Sequence, residues 1–394
     1  MRSVAEFSRL LGKEFFAYQV DAFSLMRELP SPQQRLCLFY KTGAGKSITA
    51  LVSIAQLGFD DILVLAPPSA RDQWEKLAAQ IGVEVTVISH AKFRQPGYKV
   101  SKTRPIVVDE FHLLGGHKGQ GWKKMARTAA GVQAPVVICS ATPNYNDAER
   151  VYCVQHILDR HSVKGGYLQF LYDNCITQQN PFGMEPLVTG FQRYPDAAAY
   201  LVALPNVVYV PDDVEFTLVD IPMHTDIPEE FELYNLNRRT NRIMASQMEA
   251  RFQKMYYQLV DDDGWIREHV WNMLIELVGQ AHTPVMFYCD SSQVAERLAV
   301  TCVERGNYTA LITGKTPVKQ KQAILDDFRA GKIEVLVGTA SLATGTDGLD
   351  KACDTLIIVC DTQDPSLRRQ LLGRILPRGE DTDVSRKQFF RLVF

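Results

Sequence analysis

The chain has 394 residues, of which 46% are hydrophobic and 22% are charged, and its formal net charge at pH 7 is −2. This composition is that of a globular protein, and the length predicts two domains. The balanced charge excludes a chain-wide basic field for holding nucleic acid, so any binding of phosphates has to be local.

Short apolar runs alternate with helical patterns through the first half of the chain. Each run is apolar almost throughout, as expected for strands that are buried on both faces of a parallel sheet. We therefore predict an α/β lobe whose parallel strands are joined by crossover helices. The predicted strands are 35–40, 61–66, 83–88, 105–110 and 135–140.

A glycine-rich segment, KTGAGKS (41–47), follows the first predicted strand and precedes a helical run. Amide N–H groups and a helix N-terminus can face an anion there, and the glycines let the backbone approach it. We expect Lys46 to contact the β- and γ-phosphates of a nucleotide and Ser47 to hold Mg²⁺. Tyr40 replaces the first glycine of the broader pattern, so an ordinary turn is the alternative. The nucleotide-binding candidates are Thr42, Gly43, Ala44, Gly45, Lys46 and Ser47.

Two adjacent carboxylates, Asp109 and Glu110, end the predicted strand 105–110. Carboxylates at the end of a buried strand are costly unless they meet a cation or a reacting group. We assign Asp109 to Mg²⁺, and Glu110 to orienting or deprotonating an attacking water. Together with Lys46 they are catalytic candidates. A solvated acidic pair at a strand end is the alternative.

The second half of the chain repeats this plan. A helix over 292–305 ends at Gly306, and another begins near Thr316 and Pro317 and is closed by Gly331. We predict a second α/β lobe. Its strands are 284–289, 309–312, 333–338 and 355–360.

The boundary between the lobes is predicted in a proline-rich stretch, which gives domains of 1–208 and 209–394. A helical pattern of mixed charge over 229–279 predicts an insertion in the second lobe. Clustered basic residues at 115–127 are compatible with contact to nucleic acid, whereas those at 237–254 favour a solvated helix face.

The eight cysteines are scattered without metal-ligand spacing, and we expect buried thiols in a reducing compartment. The N-terminus lacks the apolar segment of a signal peptide, and no apolar run reaches the roughly 20 residues that span a bilayer. We expect a cytoplasmic, monomeric protein without a membrane partner.

With these residues in place, the sequence resembles the superfamily 2 helicases and translocases. FAYQVDAF (16–23) is similar to their adenine-reading element, and VLAPPSARDQW (64–74) to their first strand-contacting motif. DEFH (109–112) resembles the DExH box, and CSATPNYN (139–146) the coupling motif. The second half has three similar segments in the family's order: LITGKT (311–316), VGTASLATGTDGLD (337–350) and RRQLLGRILPRG (368–379).

This resemblance implies two tandem RecA-like domains and an ATP-hydrolysing motor that uses ATP and Mg²⁺. It implies that Gln19 contacts the adenine and that Asp347 lies near the ribose or links the two sites, with a turn role as the alternative for Asp347. Arg374 would neutralise phosphoryl charge as an arginine finger, and Gln370 would reach the same phosphates. Arg378 departs from the family's spacing, and a surface ion pair is the alternative for Arg374.

Residues that grip the backbone of a nucleic acid need not read bases, so hydroxyls, amides and a few cations suffice. The candidates lie at predicted strand-to-helix junctions, where capping or turn roles are the alternative. The strand-contact candidates are Ser69, Arg71, Thr313, Gly314 and Thr344. The resemblance implies coupling roles for His112, Ser140 and Thr142.

Within the superfamily, the motifs look closest to Swi/Snf-type translocases and to compact phage-encoded branch-migration helicases. The leading expectation is therefore an ATP-dependent motor on single-stranded, forked or branched DNA, in the host cytoplasm if the chain is phage-encoded. One alternative is an RNA helicase, because contacts to phosphates do not separate the two nucleic acids. Another is an ATP-driven switch that does not unwind.

Overall fold

The computed structural model divides the chain into two compact units, 1–212 and 213–394, whereas the sequence predicts the division at 208. It describes residues 2–31, 34–41, 43–141, 148–180, 185–211, 216–223, 255–256, 258–261, 263–279, 281, 284–343, 348–362, 365–377 and 384–394. Outside these ranges lie Thr42, Thr142, Thr344, Asp347, Arg378 and most of the predicted insertion over 229–279.

The first unit is built on a parallel sheet of six strands. In spatial order these are β3 (Glu84–Ile88), β2 (Asp61–Leu65), β4 (Ile106–Val108), β5 (Val136–Ser140), β1 (Arg35–Tyr40) and β8 (Val207–Val210). The five strands predicted in this lobe are all present. Because β4 ends at Val108, Asp109 and Glu110 lie in the loop after the strand and not within it.

Alternate residues of these strands point to opposite faces of the sheet, and helices cover both faces. In β1, Leu36, Leu38 and Tyr40 join one core, and Cys37 and Phe39 join the other. The first face carries α1 (Val4–Leu11), α2 (Ala17–Glu28), α3 (Lys46–Ala55) and α4 (Arg71–Gln80). The second carries α5 (His90–Arg94), α6 (Gln120–Gly131), α7 (Ala148–Leu158), α8 (Gly166–Asn174) and α9 (Ala197–Val202). An antiparallel pair, β6 (Cys175–Gln178) and β7 (Leu187–Phe191), completes the unit.

The second unit repeats the architecture with another parallel sheet of six strands. Their spatial order is β11 (Thr309–Ile312), β12 (Val335–Gly338), β10 (Val285–Cys289), β13 (Thr355–Cys360), β14 (Gln388–Val393) and β9 (Leu218–Pro222). The helices described here are α10 (Glu268–Gly279), α11 (Ser292–Glu304), α12 (Val318–Arg329) and α13 (Pro365–Leu372). Two tandem α/β units with parallel sheets are thus confirmed.

Two helix boundaries bear on the predictions. The helix predicted to start near Thr316 begins at Val318, because Pro317 occupies the cap and the Thr316 hydroxyl accepts a hydrogen bond from the Thr313 amide instead. Helix α10 lies at the end of the predicted insertion and buries Val270 and Trp271 in the core beside the sheet.

All eight cysteines are buried free thiols, as predicted. Within the described ranges, no helix combines the length and the apolar character that a bilayer crossing requires. Among the same residues, no group of three or more histidine, cysteine or acidic side chains is arranged to hold a metal ion.

Candidate nucleotide and nucleic-acid site

The carboxyl ends of parallel strands meet at one edge of a sheet, and this edge collects the predicted site residues of the first unit. Strands β4, β5 and β1 are neighbours in the sheet. The segments that follow them hold the Asp109–Glu110 pair, Ser140 at the end of β5, and the glycine-rich loop 41–45. Residues far apart in the sequence are thereby brought side by side.

The loop depends on glycine for its shape. Gly43 and Gly45 adopt left-handed backbone conformations, with φ of 83° and 77°. A Cβ atom at Gly45 would lie 2.6 Å from Gln19 Nε2, so only glycine fits between α2 and the start of α3. Lys46 opens α3, and its Nζ donates to the carbonyl oxygens of Tyr40 at 3.0 Å and Lys41 at 3.3 Å. The ammonium group of Lys46 is therefore held at the beginning of the glycine-rich loop.

The start of α2 is hydrogen-bonded to the same loop. Gln19 is buried, and its Nε2 donates to Thr49 Oγ1 at 3.1 Å, while Thr49 Oγ1 donates to the Gly45 carbonyl at 2.9 Å. The Tyr18 hydroxyl donates to the Ala44 carbonyl at 3.1 Å. Gln19, the residue predicted to contact the adenine, therefore lies directly beside the glycine-rich loop.

Asp109 lies in an environment that disfavours its charge. Burial, and then the neighbouring Glu110 carboxylate, raise its pKa to about 7, while Lys46 and a hydrogen bond from Trp74 act in the opposite direction. Trp74 Nε1 donates to Oδ2 at 3.2 Å, and the Glu110 amide donates to Oδ1 at 3.0 Å. Two donors therefore fix the orientation of this carboxylate.

Glu110 is held in a strained conformation. Its φ of 46° is the one positive value found for a non-glycine residue in the described part of the chain. Such a conformation costs roughly 1–3 kcal/mol and is concentrated at functional sites. Its Oε2 atom is buried without a hydrogen-bond partner among the described residues, and His112 Nδ1 lies 3.4 Å from it. The predicted coupling residue His112 is thus adjacent to the predicted water-orienting carboxylate.

Two residues of this site were not predicted from the sequence. Trp74 lies within the strand-contact motif, but its bond to Asp109 depends on tertiary structure. His90 is the second residue after β3 and the first of α5, and its Nε2 donates to the Asp109 carbonyl at 2.9 Å. Burial lowers the pKa of His90 to about 4, so this imidazole is neutral near pH 7. The sequence signal that could have indicated His90 is the position of a histidine just after a predicted strand.

The strand-contact candidates of the first unit lie beside this site. Ser69 belongs to a short 3₁₀ turn over Pro68–Ala70 that follows β2, and exposed Arg71 is the first residue of α4. Trp74 is on the same helix and hydrogen-bonds to Asp109. Helix α4 therefore connects a candidate nucleic-acid contact to the candidate catalytic carboxylate.

In the second unit, Thr313 and Gly314 follow β11. The Thr313 amide donates to Thr316 Oγ1 at 2.9 Å, and the Lys315 amide donates to Thr313 Oγ1 at 3.2 Å. The Thr313 hydroxyl therefore takes part in a closed turn, which is the turn role that the sequence left open. Gly314 is exposed at the tip of this turn.

Arg374 follows α13 and is buried within its own unit rather than lying on its surface. Its Nε donates to the Ala343 carbonyl at 3.0 Å, and its Nη2 donates to the same oxygen. Lys321 of α12 is also buried and donates to the Ser341 carbonyl at 2.5 Å. Burial, and then the Arg374 charge, lower the pKa of Lys321 to about 8. Two buried cations thus hold the segment after β12, and Gln370 is buried on α13.

A chain of ion pairs fixes α13 to the sheet, and no local sequence pattern indicated it. Arg368 of α13 donates from Nε to Asp361 Oδ1 at 2.9 Å, and Arg391 of β14 donates to Asp361 Oδ2 at 3.2 Å. Arg391 also donates to Asp220 of β9 at 2.6 and 2.8 Å, which lowers the pKa of that carboxyl. The helix that leads to Arg374 is therefore anchored to three strands.

Comparison with known families matches both units. Residues 57–151 match the DEAD/DEAH box helicase family, and residues 269–378 match the helicase conserved C-terminal domain. The glycine-rich loop and Gln19 precede the first match. These two matches together cover about half of the chain and identify it as a superfamily 2 helicase, a class of ATP hydrolases.

Among individual proteins, the chain is 27% identical over 143 residues to the ATP-dependent RNA helicase dbp5 of Schizosaccharomyces pombe, covering 35% of this chain and 27% of that protein. It is 34% identical over 95 residues to the mouse ATP-dependent RNA helicase DDX19A, covering 24% of this chain and 19% of that protein. The matched stretches thus span less than a third of either relative.

A solved structure of Saccharomyces cerevisiae Dbp5 bound to RNA and ADP–BeF3 aligns with 99% of this chain and 86% of that one. The TM-score is 0.55 and the identity 13%, so this likeness concerns the fold.

Proposed function

We propose that this chain is a nucleic-acid-dependent ATPase that couples ATP hydrolysis to the remodelling of RNA. The observation that carries the proposal is the convergence, at one sheet edge, of the loop that ends at Lys46, the Asp109–Glu110 pair, and Ser140. A phosphate cradle beside oriented carboxylates is an arrangement that can bind a nucleoside triphosphate and direct a water to it.

In this proposal Lys46 and the backbone amides of the loop hold the β- and γ-phosphates. Ser47 and Asp109 supply hard oxygen donors that suit Mg²⁺, and the pKa of Asp109, raised by burial, is consistent with a carboxylate that awaits a cation. The bound ion would neutralise charge on the phosphates. Glu110 orients the attacking water through its buried Oε2, which has no hydrogen-bond partner among the described residues. Gln19 and exposed Phe16, at the start of α2, are available to contact the adenine.

In the same proposal, the second unit supplies the arginine finger. A guanidinium stays protonated at every physiological pH, so Arg374 can neutralise charge on transferring phosphoryl oxygens once it leaves Ala343. Gln370, buried on α13 four residues before Arg374, would reach the same phosphates. Thr42, Thr142, Thr344 and Asp347 keep the nucleotide, coupling and strand-contact roles that the resemblance implies.

RNA is proposed as the track because the curated relatives that match are RNA helicases by name. Contacts through Ser69, Arg71, Thr313 and Gly314 would reach phosphates and sugars, which do not by themselves separate RNA from DNA. DNA is the second candidate, because the segment 64–74 resembles the corresponding motif of Swi/Snf-type translocases. A switch that hydrolyses ATP without unwinding is a third.

The test is a comparison of ATPase stimulation by matched RNA and DNA. Single strands, duplexes, forks and four-way junctions of the same sequence are supplied in both chemistries, with Glu110→Gln as the inactive control. Stimulation by RNA alone supports the proposal, and stimulation by DNA alone replaces it with the DNA motor. Strand displacement on the stimulating substrate then separates an unwinding enzyme from a switch.

A further inference from the structure

An uneven distribution of charge marks one part of the first unit. Residues 85–146 contain nine lysines and arginines but only two acidic residues, Asp109 and Glu110, and both of these belong to the candidate site. The whole chain is nearly neutral, with a net charge of −2. Excess positive charge opposes folding through self-repulsion, so a local excess of this size calls for a function.

The structure brings these residues into one layer. Helix α5 packs beside α6, and Lys124 of α6 donates from Nζ to the carbonyl oxygens of Gln95 at 2.6 Å and Tyr98 at 2.7 Å. The Gln133 amide, just after α6, donates to the Lys102 carbonyl at 2.7 Å. The loop before β4 is thereby attached to the end of α6, and the elements that carry the basic residues contact one another.

Four of the nine cations are held by partners on another segment of the protein, whereas Arg127 donates only to the Lys123 carbonyl within its own helix, at 3.2 Å. Lys118 pairs with Glu185 at 2.6 Å, Arg104 pairs with Asp61, and Arg94 and Lys124 donate to backbone carbonyls. The other five are exposed and form no ion pair with another described residue. We call them the α5–α6 basic surface: Lys92, Lys99, Lys102, Lys123 and Arg127.

The position of this surface connects it to the candidate strand contacts. Helix α5 starts at the carboxyl end of β3, which pairs with β2, and β2 leads directly to Ser69 and Arg71. Lys123 and Arg127 are four residues apart on α6 and therefore share a helix face. The five cations therefore lie on α5, which starts near this edge, on α6, and in the loop before β4.

The side chains around these cations favour a duplex over a single strand. Proteins that bind single strands combine cations with exposed aromatic rings on which bases stack. The nearby rings of Phe93 and Trp122 are buried, with 0% and 7% exposure, so they offer no stacking platform. The ring of Tyr98 is partly buried against the core, and Lys124 Nζ lies over it at 5.8 Å from the centroid, so it is not a fully exposed platform either. Separated exposed cations instead suit the phosphates of a duplex, whose bases are already stacked.

We propose that the α5–α6 basic surface binds the phosphate backbone of a duplex that flanks the strand gripped by the motor. This inference rests on the proposed function and extends it to a second contact outside the motor motifs. It requires no sequence recognition, because the contacts reach phosphates only.

The test uses the full chain with Lys92, Lys123 and Arg127 replaced together by glutamine. These side chains are exposed, so the variant should fold normally. A matched variant removes the same charge elsewhere on the first unit, by K13Q, K164Q and R193Q, all at exposed positions. Affinity is measured by fluorescence anisotropy across a salt series, for one single strand with and without a duplex flank.

We expect the wild type to bind the flanked substrate more tightly than the bare strand, and the surface variant to lose that gain. Each lost phosphate contact should reduce the slope of log affinity against log salt by about 0.9, so three cations give a reduction of roughly 2 to 3. The surface variant should bind the bare strand and hydrolyse ATP without nucleic acid as the wild type does. The matched variant should bind both substrates with the affinity of the wild type.

Three results would overturn the inference. A flank gain that survives in the surface variant removes these residues from the interface, and an equal loss on both substrates assigns them to the strand grip. If the wild type binds the strand equally well with and without the duplex flank, the surface does not bind a duplex. An acidic protein would then be the partner that this surface fits. If the wild type binds no nucleic acid at all, the proposed function itself has failed.

Discussion

Replacement of Lys321 tests how strongly burial acts in the second unit. Burial, reinforced by Arg374, lowers its pKa from 10.5 to about 8. At about 1.4 kcal/mol for each pKa unit, keeping this side chain protonated destabilises the folded state by about 3 kcal/mol near neutral pH. Between about pH 8 and 10.5 the unfolded chain binds this proton and the folded chain releases it, so stability rises with pH across that window.

We expect Lys321→Met to remove this dependence, because methionine has a similar length and carries no proton. Loss of the hydrogen bond to the Ser341 carbonyl also changes the stability of the variant, but by an amount that does not vary with pH. The informative quantity is therefore how the difference in free energy of unfolding between variant and wild type changes with pH. The free energy of unfolding of the variant minus that of the wild type should fall by about 3 kcal/mol from neutral pH to about pH 10.5.

The assay is urea unfolding of both proteins at several pH values, followed by tryptophan fluorescence. Trp265 and Trp271 lie in the second unit and report on it. Lys319→Met, at an exposed position on the same helix, is the control and should remain parallel to the wild type. If the curves for Lys321→Met and the wild type are also parallel, the argument from burial is refuted.

Three further changes address the candidate site. Glu110→Gln should abolish ATP hydrolysis while a fluorescent nucleotide still binds, and normal turnover would remove Glu110 from the reaction. Arg374→Ala should lower hydrolysis about a thousandfold or more with nucleotide binding retained, and a small effect would leave it a structural role. Trp74→Phe keeps the aromatic ring but removes a hydrogen bond to Asp109 worth about 1.5–3 kcal/mol, so turnover should fall roughly tenfold or more. Steady-state ATPase measurements check all three, and an unchanged rate in Trp74→Phe would show that this bond does not position Asp109.

The sequence predicts those strands that consist of unbroken apolar residues. Strands β1, β11 and β13 were located to the residue, and β1 and β13 are buried along their whole length. Strand β8 is only half-buried, and β14 contains Arg391, which breaks its apolar run. That arginine is tolerated because Asp220, 171 residues away in the sequence, lies on the adjacent strand and pairs with it. Such compensation cannot be read from local pattern.

The same limit applies to the candidate site. Spacing and residue type located Lys46, Asp109 and Glu110, because their chemistry follows from neighbouring residues in the chain. The contact of Gln19 with the glycine-rich loop depends on how α2 packs on α3, and the bond from Trp74 depends on the order of the strands. Local sequence therefore indicates which groups are candidates for the reaction, whereas the packing of helices decides how those groups are held.

The hydrogen bond between Arg374 and the Ala343 carbonyl bears on how fast ATP would be hydrolysed when no nucleic acid is bound. An arginine that already satisfies a buried carbonyl must break that contact before it can act on a nucleotide. A charge-assisted hydrogen bond of about 1.5–3 kcal/mol would keep the released form near 1–10% of the population. A segment that shifts Ala343 when a nucleic acid binds beside it would raise that fraction. Under the proposed function, ATP hydrolysis would then be slow without nucleic acid and faster once nucleic acid is bound.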